Sequence, residues 1–173
     1  MVYETLGVAP ADLIEEFIKF IPPAEVTREQ LTGLQLAFVQ GQFKKHNKSN
    51  LYPVIEDIIR IHSAMNRSLY SGPYSGELNM VFSANSVFKL SPGTIITELN
   101  FDFNDLLAVG ELDLQEFLSE YSPAKSFVVI YNCRGQVKPL VVDKTIAELL
   151  RALNCDAALE SILKNKSSRV KKD

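Results

Sequence analysis

The spacing of apolar residues first changes along this chain at Ser71-Gly72-Pro73-Tyr74-Ser75-Gly76. Clustered Gly, Pro and Ser favour turns and interrupt regular elements. Before the cluster, apolar residues recur three and four apart, the period of a helix. After it the period moves toward two, the period of a strand. A chain patterned this way is expected to fold as α+β: about three helices, packed on a small antiparallel sheet, with a C-terminal hairpin followed by two helices. The expected organisation is a helical portion over 1–70, a linker at 71–76, an α+β portion over 77–164 sharing the same core, and a basic disordered tail at 165–173.

Three helices are expected in the first portion. Pro10 suits a first helical turn, and Pro22-Pro23 cannot continue the helix that follows it. Leu13, Phe17, Phe20 and Ile21 form its apolar face, widened by Ile14 and Ile18. Thr27-Arg28-Glu29-Gln30 has the pattern of a capping box. Behind it, Leu31, Leu34, Leu36, Phe38, Val39 and Phe43 make a broad apolar stripe. Gly33 and Gly41 interrupt that stripe, and either permit close packing or are tolerated at a cost of about 1 kcal/mol each. Lys44 to Asn50 reads as a polar loop. A third helix has Pro53 near its start, with Val54, Ile55, Ile58, Ile59, Ile61 and Met65 expected inside.

Short strands are expected at LNMVFS (78–83), SVFKLS (86–91) and TIITELNF (94–101), with Ser91-Pro92-Gly93 as turn chemistry between the last two. Two short helices, DFNDLLAV and DLQEFLSEY, are expected on either side of Gly110. A hairpin then pairs 126–132 with 136–142. Asp143 is placed to N-cap a helix over 144–153 whose core face is Ile146, Leu149, Leu150 and Leu153. A last helix is expected at roughly 156–164.

Composition limits the functional classes. The hydrophobic share of 46% and charged share of 23% in 173 residues are those of a globular domain. No apolar run approaches the roughly 20 residues that span a bilayer, so membrane insertion is not expected. The acidic start, without a basic region before an apolar stretch, is unlike a secretory signal. Cys133 and Cys155 make no disulfide framework and no metal-ligand spacing. A reducing, cytoplasmic location is expected. Removing the last ten residues, which carry five basic residues and one acid, leaves 13 basic and 20 acidic residues and a formal charge of −7 over 1–163. That acidity disfavours nucleic acid as a partner, since phosphate binding needs clustered Lys and Arg.

No phosphate-binding, nucleophile-elbow or zinc-protease motif is present. His46 sits in a Lys-rich loop and is expected in solvent, whereas His62 is expected to be half-buried on the third helix. Cys133, beside Arg134 at a hairpin tip, and Cys155, ahead of a helix, are the two nucleophile candidates. Neither has a visible base or oxyanion site. No cofactor, metal or catalytic residue is assigned.

Two regions suit a partner. Between Leu90 and Ala124 there is no basic residue, while Glu98, Asp102, Asp105, Glu111, Asp113, Glu116 and Glu120 accumulate. Asp113, Glu116 and Glu120 fall on one helical face, either a solvated face or a docking surface for a basic partner. In the hairpin, Phe127, Val129 and Tyr131 alternate with Val128 and Ile130, so this strand is apolar on both faces and is buried on both sides or partly covered by a partner. Pro139 cannot donate to a ladder, which makes the second strand an edge. An apolar strand beside an edge, followed by a helix, can accept a strand or helix from another chain.

The expected function is therefore a non-enzymatic, cytosolic protein- or peptide-binding adaptor using 126–154 and the acidic 98–120 surface. Phe127, Val129, Tyr131, Arg134, Lys138, Asp113, Glu116 and Glu120 are the candidate contact residues. Self-association is left open. The hairpin-then-helices order is shared with winged-helix domains and with small domains that clamp leader peptides for modifying enzymes. A winged-helix regulator would need Arg134, Lys138, Lys144 and Arg151 on one face, helped by the basic tail.

Overall fold

The computed structural model describes residues 2–71, 90–110 and 112–153. Within them the order is α1 (Val2–Leu6), α2 (Pro10–Phe20), α3 (Arg28–Lys45), a 3-10 turn at Ser49–Leu51, α4 (Tyr52–Tyr70), β1 (Ile95–Leu99), α5 (Phe103–Leu106), a 3-10 turn at Leu107–Gly110, α6 (Leu114–Glu120), β2 (Ser126–Cys133), β3 (Gln136–Val142) and α7 (Lys144–Leu153). The architecture is α+β, with helices before and after a small antiparallel sheet of strand order β1-β2-β3. The strands expected at 78–83 and 86–91, apart from the last two residues of the second, lie outside the described residues. So do the helix at 156–164, Cys155 and the tail.

The chain divides into two compact units, each assembled from separated segments. One comprises 1–63 and 99–125, the other 64–98 and 126–173. These bounds differ from the sequential 1–70 and 77–164 portions, because the division falls within α4 and at the end of β1.

In the first unit α3 opens with a capping box. The Thr27 side chain accepts from the Gln30 N–H and the Gln30 side chain accepts from the Thr27 N–H. Phe38, Val39 and Phe43 are buried, and α2 lies against this helix, with the Phe17 and Phe20 rings 5.1 and 5.6 Å from Phe38. The expected broad inner face of α2 is narrower in fact. Ile14 and Ile18 are 60% and 64% exposed, and the opposite flank of α2 meets α3 through polar groups. Glu16 accepts from Gln42 at 2.6 Å and from Lys45 at 3.3 Å. On α4, Val54 and Ile55 are fully buried, whereas Met65 is at the surface. Thr32 and Ser63 join α3 to α4 through their hydroxyls, 2.7 Å apart. Phe101 and Phe117 meet edge to face at 5.3 Å, and Phe117 stacks on Tyr121 at 4.9 Å. Full burial of one such ring stabilises by roughly 1.5–3 kcal/mol.

Asp57 is the fully buried charged side chain among the described residues of this core. It falls on the stripe of Val54 and Ile58 and is completely buried. Its Oδ2 accepts from the Asn100 and Phe101 N–H groups at 2.8 and 3.0 Å, and its Oδ1 from the Asn100 side-chain amide at 3.0 Å. The segment leaving β1 thus has its backbone donors satisfied by a side chain.

In the second unit β2 is the central strand. Ser126 to Ile130 are buried, with Val128 and Ile130 wholly inaccessible. The turn before β1 is type II: Pro92 and Gly93 occupy its centre, Thr94 N–H donates to Ser91 O at 3.0 Å, and Gly93 has φ +79°. A Cβ on Gly93 would stand 2.6 Å from Ser71 Cβ and 3.1 Å from Ser68 O, so glycine is required for the approach as well as for the turn.

Candidate interaction surface

The hairpin geometry follows from Arg134-Gly135. Both residues have positive φ, +54° and +83°, the conformation of a type I′ turn, which matches the twist of the flanking strands. The register runs unbroken from Cys133↔Gln136 to Phe127↔Val142. Asn132, buried beneath the turn, accepts from the Gly135 N–H at 2.9 Å and donates to Ser68 O at 3.4 Å. An amide inside the unit therefore holds the tip of the hairpin to the end of α4.

The register sorts the side chains onto two faces. Phe127, Val129 and Tyr131 share one face with Val142, Leu140 and Lys138. Val128, Ile130 and Asn132 share the other with Val141, Pro139 and Val137. Helix α7 covers the first face over β2: the Arg151 guanidinium lies 5.6 Å above the Phe127 ring and Ala147 is wholly buried. The expected inner face of α7 is thus shifted by one residue. Ala147 points inward because its small side chain lets the helix approach the sheet, and Ile146 is 44% exposed. Leu149, Leu150 and Leu153 are half-buried. Asp143 caps the helix, its Oδ1 accepting from the Ile146 N–H at 2.8 Å.

Burial separates the expected contact residues. Phe127 and Val129 are 7% and 5% exposed and belong to the interior. Tyr131 is half-buried, and Arg134 and Lys138 are exposed. The exposed large apolar side chains of this region are Leu140 (52% exposed) and Val141 (40%), on opposite faces of β3, and Ile146 in the first turn of α7. Sequence reasoning named neither Leu140 nor Val141 as a contact and placed Ile146 in the core. The available signal was Pro139, which marks β3 as an edge strand and so as one with fewer neighbours than β2.

The acidic residues have a local explanation. Asp113 Oδ1 accepts from the Gln115 and Glu116 N–H groups at 2.7 and 2.9 Å, and Glu116 accepts from the Asp113 N–H at 3.1 Å, completing a capping box. Asp102 caps α5 by accepting from the Asn104 N–H at 2.8 Å, without a reciprocal bond. Glu120 is exposed at the end of α6.

The two histidines exchange their expected environments. His46 is half-buried where it closes α3, and His62 is exposed on α4. Cys133 is exposed at the end of β2. Among the described residues no group of three or more His, Cys, Asp or Glu side chains could hold a metal ion, and no helix is long and apolar enough to cross a membrane. The chain matches no protein-family model, no curated protein and no solved structure.

Proposed function

We propose that this chain is a non-enzymatic protein- or peptide-binding adaptor that engages its partner through β3 and the first turn of α7. The observation carrying this reading is the exposure of Leu140 on β3 and Ile146 in the first turn of α7, with β3 at the edge of the sheet among the described residues. Large exposed apolar side chains on an edge strand and the helix after it are candidates for an interaction site. Lys138 and Arg134 flank them, and charges at a rim steer encounter and fix register. An exposed thiol at Cys133 suits a reducing, cytosolic setting. The acidic side chains of α5 and α6 enter as a secondary contact at most, since Asp102, Asp113 and Glu116 already serve as helix caps.

The test is affinity capture from native lysate at low salt, with nuclease-treated controls, comparing the natural chain with Leu140→Asp. A stoichiometric protein that survives nuclease and is lost with Leu140→Asp supports the reading. Recovery of nucleic acid that dissociates at moderate salt, or of proteins indifferent to the substitution, overturns it.

A further inference from the structure

The phase of hydrogen bonding along β3 limits how anything can dock there. In a two-residue hairpin the residues flanking the turn, here Cys133 and Gln136, form a hydrogen-bonded pair, and the pairs alternate thereafter. Tyr131↔Lys138 and Val129↔Leu140 are then hydrogen-bonded pairs, and Ile130↔Pro139 is not. In a non-bonded pair the backbone groups point away from the neighbouring strand. The backbone nitrogen of Pro139 therefore faces the outer edge of the sheet, which no strand covers among the described residues. The outward groups of that edge come from Val137, Pro139 and Val141, and the middle one has no N–H to give. A strand added here would lose its central hydrogen bond and meet a pyrrolidine ring, a common protection of natural sheet edges.

Docking at this surface must then run through side chains, and their chemistry is specific. Lys138 and Leu140 stand two residues apart on the face that carries α7. Ile146 is exposed in the first turn of that helix, with exposed Lys144 two residues before it. Among the described residues Arg134, Lys138 and Lys144 make no ion pair. The segment 134–151 carries four cations and two acids in a chain of net charge −3. One of those acids, Asp143, is already committed to capping α7.

Resting on the adaptor reading above, we infer that β3 and the first turn of α7 receive an acidic amphipathic helix from the partner, held by side chains and not by strand addition. The dimensions agree. Alternate strand residues are about 7 Å apart, and helix residues four apart rise about 6 Å. A carboxylate and an apolar side chain one turn apart can therefore meet Lys138 and Leu140 together.

Two display libraries, one of helix-forming and one of extended peptides, would be selected on the full chain. Enriched peptides would then be measured by fluorescence anisotropy against the natural chain, Leu140→Asp and Lys138→Glu. We expect helical peptides pairing Glu or Asp with Leu, Ile or Phe one turn away, weakened at least tenfold by either substitution and weakened further by salt. Both substituted positions are exposed; if circular dichroism shows Leu140→Asp misfolded, the charge reversal carries the test. Enrichment of extended or basic peptides, still sensitive to Leu140→Asp, overturns the helical, acidic occupant and leaves the adaptor reading standing. Failure to enrich any peptide sensitive to either substitution overturns both.

Discussion

The Asp57 carboxylate, buried on α4, holds Asn100 at two points: Oδ2 accepts from its backbone N–H at 2.8 Å and Oδ1 from its side-chain amide at 3.0 Å. The same Oδ2 takes the Phe101 N–H, so one side chain fixes the chain where it leaves β1 and delivers Phe101 to the core beside Phe117. Asp57→Ala strands two backbone donors in the interior and should lower unfolding free energy by roughly 3 kcal/mol. Asp57→Asn keeps one acceptor oxygen and should cost less. Chemical denaturation of the two variants checks the order.

Burial raises the Asp57 pKa above its ordinary value of 3.8, against the lowering influence of the bonds from Asn100 and Phe101. The folded protein therefore binds this proton more tightly than the unfolded chain. The group's contribution to stability is full below 3.8 and is lost as pH rises through the elevated folded value. The stability of the natural chain relative to Asp57→Asn should accordingly be greatest in acid and decline toward neutrality. Denaturation midpoints of the pair between acid and neutral pH give the sign directly, and a constant or growing difference would contradict it.

Gly33 and Gly41 lie inside α3, exposed, and an added Cβ at either meets nothing within 4 Å. The close-packing account of these glycines has no support. Gly33→Ala and Gly41→Ala should each stabilise by about 0.5–1 kcal/mol through helix propensity. Thermal unfolding should move upward by about 2–4 °C per kcal/mol in a chain of this size.

Gly93→Ala should act in the opposite direction. Its φ of +79° and the 2.6 Å approach to Ser71 Cβ combine backbone strain with a clash, and a loss of about 2 kcal/mol or more follows. A neutral result in denaturation would mean that the turn and the end of α4 move apart at little cost.

Val129 and Leu140 face each other across the hairpin, yet they are 5% and 52% exposed. Val129→Asp places an unpaired charge in the interior and should destabilise by more than about 3 kcal/mol, or prevent folding. Leu140→Asp should remain within about 0.5 kcal/mol of the natural chain. Comparable losses for both would show that β3 is covered.

Much of the local structure was legible because local causes suffice for it. The Thr27 and Asp143 caps, the Ser91-Pro92-Gly93 turn, the hairpin (with a loop one residue shorter than expected, since Cys133 pairs with Gln136) and the edge position of β3 each depend on residues a few positions apart. Their stereochemistry excludes alternatives: a proline without a donor, glycines at positive φ, a hydroxyl or carboxylate within reach of N–H groups one turn on. The double-sided burial of β2 was also written in its unbroken run of apolar residues.

Which face of each element is inside was settled only by the fold. Periodicity marks Ile14, Ile18, Met65 and Ile146 as core candidates, but burial depends on whether another element arrives to cover them, and none covers them fully. Ala147 is inside because a close helix–sheet approach favours a small side chain. Asp57 sits on an apolar stripe and could be read as a misfit until Asn100, 43 positions later, brings its donors. For the interaction surface, sequence placed Phe127 and Val129 on an apolar strand beside an edge. Tertiary packing put both in the interior and left Leu140 and Ile146 outside, because α7 covers β2 and leaves part of β3 bare.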